Sequence, residues 1–307
     1  MRIVFMGTPD FAVPALATLV ENGYDVVGVI TATDKFGGRG KNKLIESAVK
    51  KYAREKNLRI LQPEKLKAPD FLQELQSLKA DLQVVVAFRM LPEVVWNMPP
   101  IGTINLHASL LPKYRGAAPI NWAIMEGETE TGVTTFFLQH EIDTGDLLLQ
   151  ESLPIYPNET AGELHDRLMQ LGAETVLKSV RLIENGTYSL QPQDDKLVCK
   201  APKIFREDCE INFQQSSQQV YNFIRGLSPY PTAWTEVEGL QMKIYQAAIH
   251  AADSGKPPGQ LISDNKEYLR FATTDGQLDV LELQLEGRKR MNTKAFLNGY
   301  QLKNIEP

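Results

Sequence analysis

The sequence has few cysteines and no long apolar run. Its two cysteines, Cys199 and Cys209, lack the spacing of a metal site and provide no disulfide framework, which fits a reducing compartment. Gly7 and Pro9 interrupt the first apolar run too early for a secretory signal. The chain also nowhere approaches the roughly 20 apolar residues of a membrane helix. We therefore expect a cytoplasmic protein that does not use a membrane.

The sequence also has no excess of positively charged residues. The 33 Lys and Arg residues are outnumbered by 38 Asp and Glu residues, so the formal net charge is -5. A nucleic-acid partner would therefore have to be held by local basic patches, because the protein as a whole does not attract polyanions. The length of 307 residues is sufficient for two domains, each with its own core.

Three common enzyme motifs are absent. The first strand-turn-helix unit, at residues 7–10, lacks the three glycines of a dinucleotide-binding loop. Residues 37–41 resemble a P-loop only superficially, because the spacing and the closing Ser or Thr are wrong. His140 and Glu141 begin a zinc-protease motif, but Thr144 stands where the second His is required. The sequence therefore argues against a dinucleotide oxidoreductase, an NTPase and a metalloprotease.

The first part of the chain alternates short apolar runs with helical patterns. This alternation predicts an α/β domain with a mainly parallel sheet. The predicted strands lie at residues 3–6, 26–31, 82–88, 103–107 and 133–138. Thr160 and Glu163 have the spacing of a capping box at the start of a further helix, and the domain is expected to end near Gly186.

The pattern changes after this domain. Residues 191–206 are polar, contain two prolines and have no clear period, which predicts a linker. A helix around residues 220–227 and several short strands follow, which predicts a small, mainly β domain folded as a barrel. We therefore divide the chain into a catalytic domain (1–190), a linker (191–206) and a C-terminal β-barrel domain (207–307).

Candidate chemistry is concentrated between residues 105 and 146. Asn105 and His107 lie on one face of a predicted strand, about 7 Å apart by strand rise. Residues 109–116 read as an ordered loop, and Asp143 lies in a turn after the strand at residues 133–138. The pattern alone leaves two interpretations open, a catalytic site or polar residues that solvate a strand end and a common Asp-x-Gly turn.

These residues resemble a family signature. Residues 105–112 read Asn-Leu-His-Ala-Ser-Leu-Leu-Pro, residues 114–116 read Tyr-Arg-Gly and residues 143–146 read Asp-Thr-Gly-Asp, which is similar to the folate-dependent formyltransferases. Further segments, spread over nearly the whole chain, resemble the members of that family that act on methionyl-tRNA. They are residues 7–11, 38–41, 201–204, 287–291 and 296–299. The resemblance implies a Rossmann-like first domain and an OB-like second domain.

The sequence departs from the family pattern at two places. Residues 88–90 read Phe-Arg-Met, where the family has Tyr-Gly-Gln beside the folate. Residues 32–36 read Ala-Thr-Asp-Lys-Phe, where the family has a stretch richer in proline. The two departures affect the expected contacts around the ligands and leave the expected reaction unchanged.

The resemblance implies a reaction and a set of site residues. The donor would be 10-formyltetrahydrofolate and the acceptor the α-amino group of initiator methionyl-tRNA, with no metal required. Asn105 and His107 would stabilise the developing oxyanion. Asp143 would either accept the proton of the amine or orient a protonated His107. The loop formed by Ser109, Leu110, Leu111 and Pro112 would line the folate pocket.

A basic segment is the candidate tRNA contact. Residues 31–43 form a longer connection than the usual 2–6 residues, and the pattern alone favours a solvated surface loop. The resemblance instead assigns this loop to the acceptor end of the tRNA. Its basic residues are Lys35, Arg39, Lys41 and Lys43, and weaker candidates are Lys203 and Arg206. We expect the protein to act as a monomer.

Three competing interpretations remain. An amino sugar nucleotide N-formyltransferase shares the Asn–His–Asp core, but a small acceptor has no need of a distant basic loop. A formyltetrahydrofolate hydrolase is less well supported. A non-catalytic tRNA-binding module is disfavoured because Asn105, His107 and Asp143 are all present.

The basic loop generates a prediction about tRNA binding. Replacing Arg39 and Lys41 by Ala removes two cations, so tRNA affinity should fall and the slope of log affinity against log salt should become shallower by about 1–2. Filter-binding or anisotropy titrations at several salt concentrations measure both quantities. Lys67→Ala together with Lys79→Ala removes the same charge outside the loop and serves as control. An unchanged affinity and slope in the Arg39 and Lys41 variant would show that the loop does not bind tRNA.

Overall fold

The computed structural model describes residues 1–37, 43–250, 255–303 and 305. The described residues contain seventeen strands and eight α-helices. The strands are β1 (Arg2–Gly7), β2 (Asp25–Ile30), β3 (Lys35–Gly37), β4 (Lys43–Ile45), β5 (Ile60–Leu61), β6 (Leu82–Val86), β7 (Gly102–His107), β8 (Arg115–Gly116), β9 (Glu130–Phe137), β10 (Leu147–Pro154), β11 (Lys200–Ala201), β12 (Ala233–Val237), β13 (Leu240–His250), β14 (Leu261–Ser263), β15 (Leu269–Ala272), β16 (Gln277–Leu285) and β17 (Met291–Asn292). The helices are α1 (Val13–Glu21), α2 (Ala48–Glu55), α3 (Pro69–Ser77), α4 (Glu93–Trp96), α5 (Pro119–Met125), α6 (Ala161–Asn185), α7 (Ser217–Leu227) and α8 (Thr293–Gly299).

The tertiary contacts divide the chain into two compact units. The first unit contains residues 1–116, 132–153 and 165–200. The second unit contains residues 117–131, 154–164 and 201–307.

These units differ from the predicted domains at four segments. Residues 117–131 and 154–164, predicted in the catalytic domain, belong to the second unit. The predicted linker is divided, with residues 191–200 in the first unit and residues 201–206 in the second. The first difference has a clear cause, because α5 packs against α7. Asn121 Nδ2 donates a hydrogen bond to Gly226 O at 2.7 Å. A Cβ at position 226 would lie 2.6 Å from Met125 Cγ, so glycine allows this close approach.

The first unit is built on a seven-stranded sheet of order β10-β9-β7-β6-β1-β2-β5. Four neighbouring pairs, from β7 to β5, are parallel, whereas β9 runs antiparallel to β7. All five residues of β6 are buried, as expected for a central strand covered on both faces. The mainly parallel α/β sheet that the sequence predicted is thereby confirmed.

The parallel register places three strand ends side by side. Gly7 at the end of β1 pairs with Val86 at the end of β6, and Val86 pairs in turn with Leu106 of β7. The residues that follow these strands therefore lie along one edge of the sheet. In open parallel sheets this carboxyl edge is where ligands bind.

Helix α6 begins and ends with the signals that the sequence contains. Thr160 N donates to Glu163 Oε2 at 2.9 Å, and Glu163 N donates to Thr160 Oγ1 at 3.3 Å, so the predicted capping box is confirmed. The helix ends at Asn185, and Gly186 follows with φ +63°, the left-handed conformation typical of a residue after a helix. Among the described residues, no helix is long and apolar enough to cross a membrane.

The second unit contains an antiparallel sheet of order β12-β13-β16-β15-β14, with β17 beside β16. Its core includes Val220 and Ile224 of α7, Phe271 of β15, Leu283 of β16 and Phe296 of α8. The mainly β composition is confirmed, and closure into an OB-like barrel stays a prediction. The sequence analysis missed α8, because this helix has only seven residues and is started by a side-chain cap, Asn292 Oδ1 accepting from Ala295 N at 2.8 Å.

Asp275 generates a prediction about stability. Its pKa is lowered, first by the hydrogen bond from Ser217 N at 2.7 Å and further by the hydroxyls of Ser217 and Thr273. A lowered pKa means that the carboxylate stabilises the fold above its ordinary pKa of 3.8 and that this contribution is lost as the pH falls through the folded-state value. We expect Asp275→Asn to reduce the free energy of unfolding by about 0.3–1 kcal/mol at pH 7, the usual range for a negative charge near an exposed helix N-terminus.

Denaturant unfolding at several pH values measures this effect. The difference between wild type and Asp275→Asn should shrink as the pH falls below 3.8. Glu236→Gln, at an exposed position of β12, is the control and should change stability little at any pH. A difference that is the same at both ends of the range would contradict the assignment.

Candidate active site

Strand β7 carries Asn105 and His107 to the carboxyl edge of the first sheet. Asn105 pairs with Val85 of β6 and with Phe136 of β9, and His107 pairs with Thr134 of β9. Because side chains alternate along a strand, Asn105 and His107 point to the same face. Asn105 is half-buried, whereas His107 is only 6% exposed.

The imidazole of His107 is held on both sides. Nε2 lies 2.8 Å from the carbonyl oxygen of Tyr114, and since a carbonyl only accepts, Nε2 must carry the proton. Nδ1 lies 3.8 Å from Asp143 Oδ2, and both side chains are largely buried. The turn after β9 therefore brings a carboxylate to the imidazole.

Asp143 occupies a constrained turn. Its backbone has φ +57°, a conformation that side-chain-bearing residues seldom adopt. Its Oδ2 accepts a hydrogen bond from Gly116 N at 2.9 Å. A Cβ at Gly145 would lie 1.7 Å from the carbonyl oxygen of Phe137, so the turn requires glycine at that position.

The predicted folate loop is tied down by its own backbone and by β9. Ser109 Oγ donates to Lys113 O at 2.6 Å, and Thr134 Oγ1 donates to Ser109 O at 2.6 Å. Ser109 is fully buried and Leu111 is 3% exposed, and Leu111 packs with buried core residues. Leu110 and Pro112 are half-buried. The side chains of Ser109 and Leu111 therefore stabilise the loop, and Leu110, Pro112 and the loop backbone are the parts that remain available to a ligand.

Two residues near the site, Gln193 and Cys199, were not assigned to it by the sequence analysis. Gln193 Nε2 donates to Asp143 O, Arg115 N donates to Cys199 O at 3.0 Å, and Tyr114 N donates to Cys199 Sγ at 3.2 Å. Gln193 and Cys199 lie in the segment that was predicted as a linker. A polar segment without periodicity contains no local signal for such contacts.

The segment after β6 departs from the family pattern and lies at the same sheet edge. Arg89 donates hydrogen bonds to the carbonyl oxygens of Glu64, at 2.9 Å, and of Pro63. Its guanidinium lies 5.7 Å from the ring centre of Phe88, and the side chain of Met90 is 72% exposed. Arg89 is thus held by backbone carbonyls and is not an isolated cation.

The basic candidates are only partly described. Lys35 and Lys43 are exposed on the two strands of the β3–β4 hairpin. Arg39 and Lys41 lie outside the described residues. Separately, Lys203 and Arg206 are exposed in the second unit, where Arg206 donates to Gln241 Oε1 at 2.7 Å. The structure thus brings Lys35 and Lys43 together, and the roles of all these residues in binding stay predictions.

Comparison with known families explains this arrangement. Residues 1–180 match the family model of the formyl transferases, and residues 203–301 match the model of the formyl transferase C-terminal domain. The chain belongs to the formyl transferase family. A methionyl-tRNA formyltransferase of Parabacteroides distasonis is 54% identical over 98% of this chain and 96% of its own length. One of Flavobacterium johnsoniae is 53% identical over 97% of this chain and 96% of its own length. The family and the branch that the motifs predicted are confirmed.

Solved structures of other formyl transferases and related proteins share the fold. The N-formyltransferase of Helicobacter canadensis, in complex with folinic acid and dTDP-3-aminofucose, superposes with a TM-score of 0.69 at 23% identity and covers 91% of this chain and 98% of its own. HypX of Aquifex aeolicus, in complex with tetrahydrofolic acid, has a TM-score of 0.67 at 21% identity and covers 99% of this chain and 48% of its own. Both of those structures hold a folate derivative.

The geometry around His107 predicts the effect of removing either partner. In this formyl transferase, His107→Ala and Asp143→Ala should each lower kcat by at least about 100-fold, because each removes a polar group placed at the sheet edge where the reaction is expected. Steady-state kinetics with the formyl donor measure kcat, and circular dichroism checks the fold.

A matched control is available in the same part of the chain. His140 is a histidine with an exposed side chain, 3.5 Å from Glu93. His140→Ala should retain turnover close to that of the wild type. Wild-type kcat in a folded His107→Ala or Asp143→Ala variant would end the assignment of that residue.

Proposed function

We propose that this chain transfers the formyl group of 10-formyltetrahydrofolate to the α-amino group of methionine on initiator tRNA. The products are N-formylmethionyl-tRNA and tetrahydrofolate. The observation that carries the acceptor assignment is the identity of 54% over nearly the whole of both chains with a methionyl-tRNA formyltransferase. The reaction would take place in the cytoplasm, with the protein acting as a monomer and without a metal.

Two groups at the candidate site have unused hydrogen-bonding capacity. Within the described part of the chain, neither the side-chain amide of Asn105 nor Asp143 Oδ1 forms a hydrogen bond, although Asp143 Oδ2 accepts from Gly116 N. Neither of these atoms belongs to the buried side-chain atoms without a partner, so both are accessible from outside the protein. A free donor and a free acceptor beside a fixed imidazole are therefore suited to a ligand that needs both.

Formyl transfer needs such a pair. The amine nitrogen attacks the formyl carbon, a C–N bond forms, and negative charge develops on the formyl oxygen. The Asn105 amide can donate to that oxygen, and His107 stands beside it as a second polar group. The bond from the formyl carbon to N10 of the folate then breaks, and the electron pair and a proton go to N10.

The amine must also lose a proton. We assign this role to Asp143 Oδ1, because Oδ2 is already engaged by Gly116 N at 2.9 Å. Asp143 Oδ2 also lies 3.8 Å from His107 Nδ1, so the same carboxylate can orient the imidazole ring. Both roles considered from the sequence are thus compatible with one carboxylate, which uses different oxygens for them.

The binding of substrates follows from the same arrangement. The loop of Ser109, Leu110, Leu111 and Pro112 would hold the folate through its backbone and its half-buried side chains. The hairpin with Lys35 and Lys43, together with Arg39 and Lys41, would contact the acceptor end of the tRNA. We assign catalysis to residues 1–190 and give the C-terminal region, residues 207–307, an OB-like fold that assists tRNA binding, with Lys203 and Arg206 as further contacts.

Product analysis tests the choice of acceptor. The purified protein is incubated with 10-formyltetrahydrofolate and either initiator methionyl-tRNA or a dTDP-linked amino sugar, and the products are analysed by mass spectrometry. We expect formylmethionine after deacylation of the tRNA, with kcat/KM for the tRNA at least about 100-fold higher than for the sugar nucleotide.

The other outcomes are equally informative. Formylation of the sugar nucleotide alone would overturn the proposal in favour of the alternative acceptor. Release of formate without any formylated acceptor would indicate a hydrolase. Uncharged tRNA in place of methionyl-tRNA is the matched control and should give no product, since it lacks the amine.

A further inference from the structure

Gln193 uses both ends of its side-chain amide. Its Nε2 donates hydrogen bonds to the carbonyl oxygens of Asp143 and Gly145, each at 2.8 Å. Its Oε1 accepts from Arg115 Nε at 3.1 Å and from Arg115 Nη2 at 2.7 Å. One half-buried side chain therefore bridges the turn that follows β9 and the short strand β8.

The bridged residues are the ones that hold the two candidate catalytic groups. Arg115 lies between Tyr114, whose carbonyl oxygen accepts from His107 Nε2 at 2.8 Å, and Gly116, whose N–H donates to Asp143 Oδ2 at 2.9 Å. A shift of β8 relative to the turn would change both contacts together. The bridge thus connects the two segments that hold His107 and Asp143, whose Nδ1 and Oδ2 atoms lie 3.8 Å apart.

The turn needs external support. A left-handed conformation, such as that of Asp143 at φ +57°, is uncommon for a residue with a side chain, and neighbouring contacts are needed to hold it. The two hydrogen bonds from Gln193 Nε2 hold the carbonyl groups of Asp143 and Gly145, on either side of Thr144. Gly145 itself has no side chain to contribute, because any Cβ would collide with the carbonyl oxygen of Phe137.

The other partner of Arg115 is a weaker anchor. Arg115 Nη2 also lies 3.0 Å from Asp195 Oδ1, but the side chain of Asp195 is 84% exposed. Exposed ion pairs contribute little because water competes for both charges. The half-buried Gln193 oxygen, which accepts from two nitrogens of the guanidinium, is thus the contact that orients Arg115.

We propose that Gln193 is a positioning residue for formyl transfer, and that its amide sets the place of the Asp143 carboxylate relative to His107. This inference rests on the proposed function for its kinetic consequence. Its structural part, the support of the Asp143 turn, is independent of which acceptor is used.

Kinetics of two variants test the inference. Gln193→Leu removes both ends of the bridge, and Gln193→Glu keeps an acceptor for Arg115 but replaces the donors to the turn by an oxygen. In both, kcat should fall by about 10-fold or more, because a small displacement of catalytic groups is costly, while both KM values stay within about 3-fold. Gln191→Leu is the matched control, since Gln191 is exposed and pairs with Leu147 through its backbone alone.

Hydrogen exchange separates positioning from general damage. In Gln193→Leu the amide of Gly116 should exchange faster, because its acceptor is the displaced carboxylate of Asp143. The amide of Arg115, which donates to Cys199 O at 3.0 Å, should keep its protection. Unchanged exchange at Gly116, or faster exchange throughout the first unit, would overturn the inference.

The kinetic outcomes distinguish the two proposals. A wild-type protein that formylates methionyl-tRNA, with a Gln193→Leu variant within about 3-fold of its kcat, leaves the function standing and overturns the role of Gln193. A wild-type protein that formylates no acceptor overturns the function instead. In that case the exchange of the Gly116 amide still decides whether Gln193 supports the turn.

Discussion

The parallel pairing of β1, β6 and β7 is the constraint on which the site depends. Backbone hydrogen bonds in this register put Gly7, Val86 and Leu106 side by side, so that the chain leaves three strands at one edge. Most side chains of these strands are buried, and a shift of one residue would turn every side chain of a strand, including Asn105 and His107, to the other face of the sheet. The same register fixes the positions of Asn105 and His107, because both residues belong to β7.

The polar groups next to this edge differ in whether their hydrogen-bonding capacity is already used. Most are saturated: the loop at residues 109–113 is closed by the hydroxyls of Ser109 and Thr134, and Nε2 of His107 is engaged by Tyr114. Saturated polar groups hold a buried loop in one conformation, because breaking any of their bonds leaves a desolvated group without a partner. In the described part of the chain, the amide of Asn105 and Oδ1 of Asp143 are left free, and a rigid frame with two free groups is what preorganised catalysis requires.

Charge is distributed in keeping with the proposed substrates. The net charge of -5 disfavours general attraction of polyanions. A nucleic acid would therefore be bound by local basic residues and not by the overall electrostatic field of the protein. Lys35 and Lys43 are exposed on the β3–β4 hairpin, which lies between β2 and α2 in the sequence. Their side chains are therefore accessible to phosphates. Long-range steering would be weak in such a protein, and binding would rely on local contacts between these cations and the phosphates.

The sequence by itself determined the features that depend on neighbouring residues. The strand that carries Asn105 and His107, the Asp143 turn, the capping box of Thr160 and Glu163 and the family motifs can all be read locally, because alternation, turn chemistry and capping act over a few positions. Only the tertiary structure decided the contacts between residues far apart in the chain. It placed residues 117–131 with the second unit, and it brought Gln193, in the segment predicted as a linker, to the turn of Asp143. The physical reason is that a hydrogen bond between a glutamine amide and a distant carbonyl leaves no period or composition in the sequence, and it exists only once the sheet has brought both segments to the same edge.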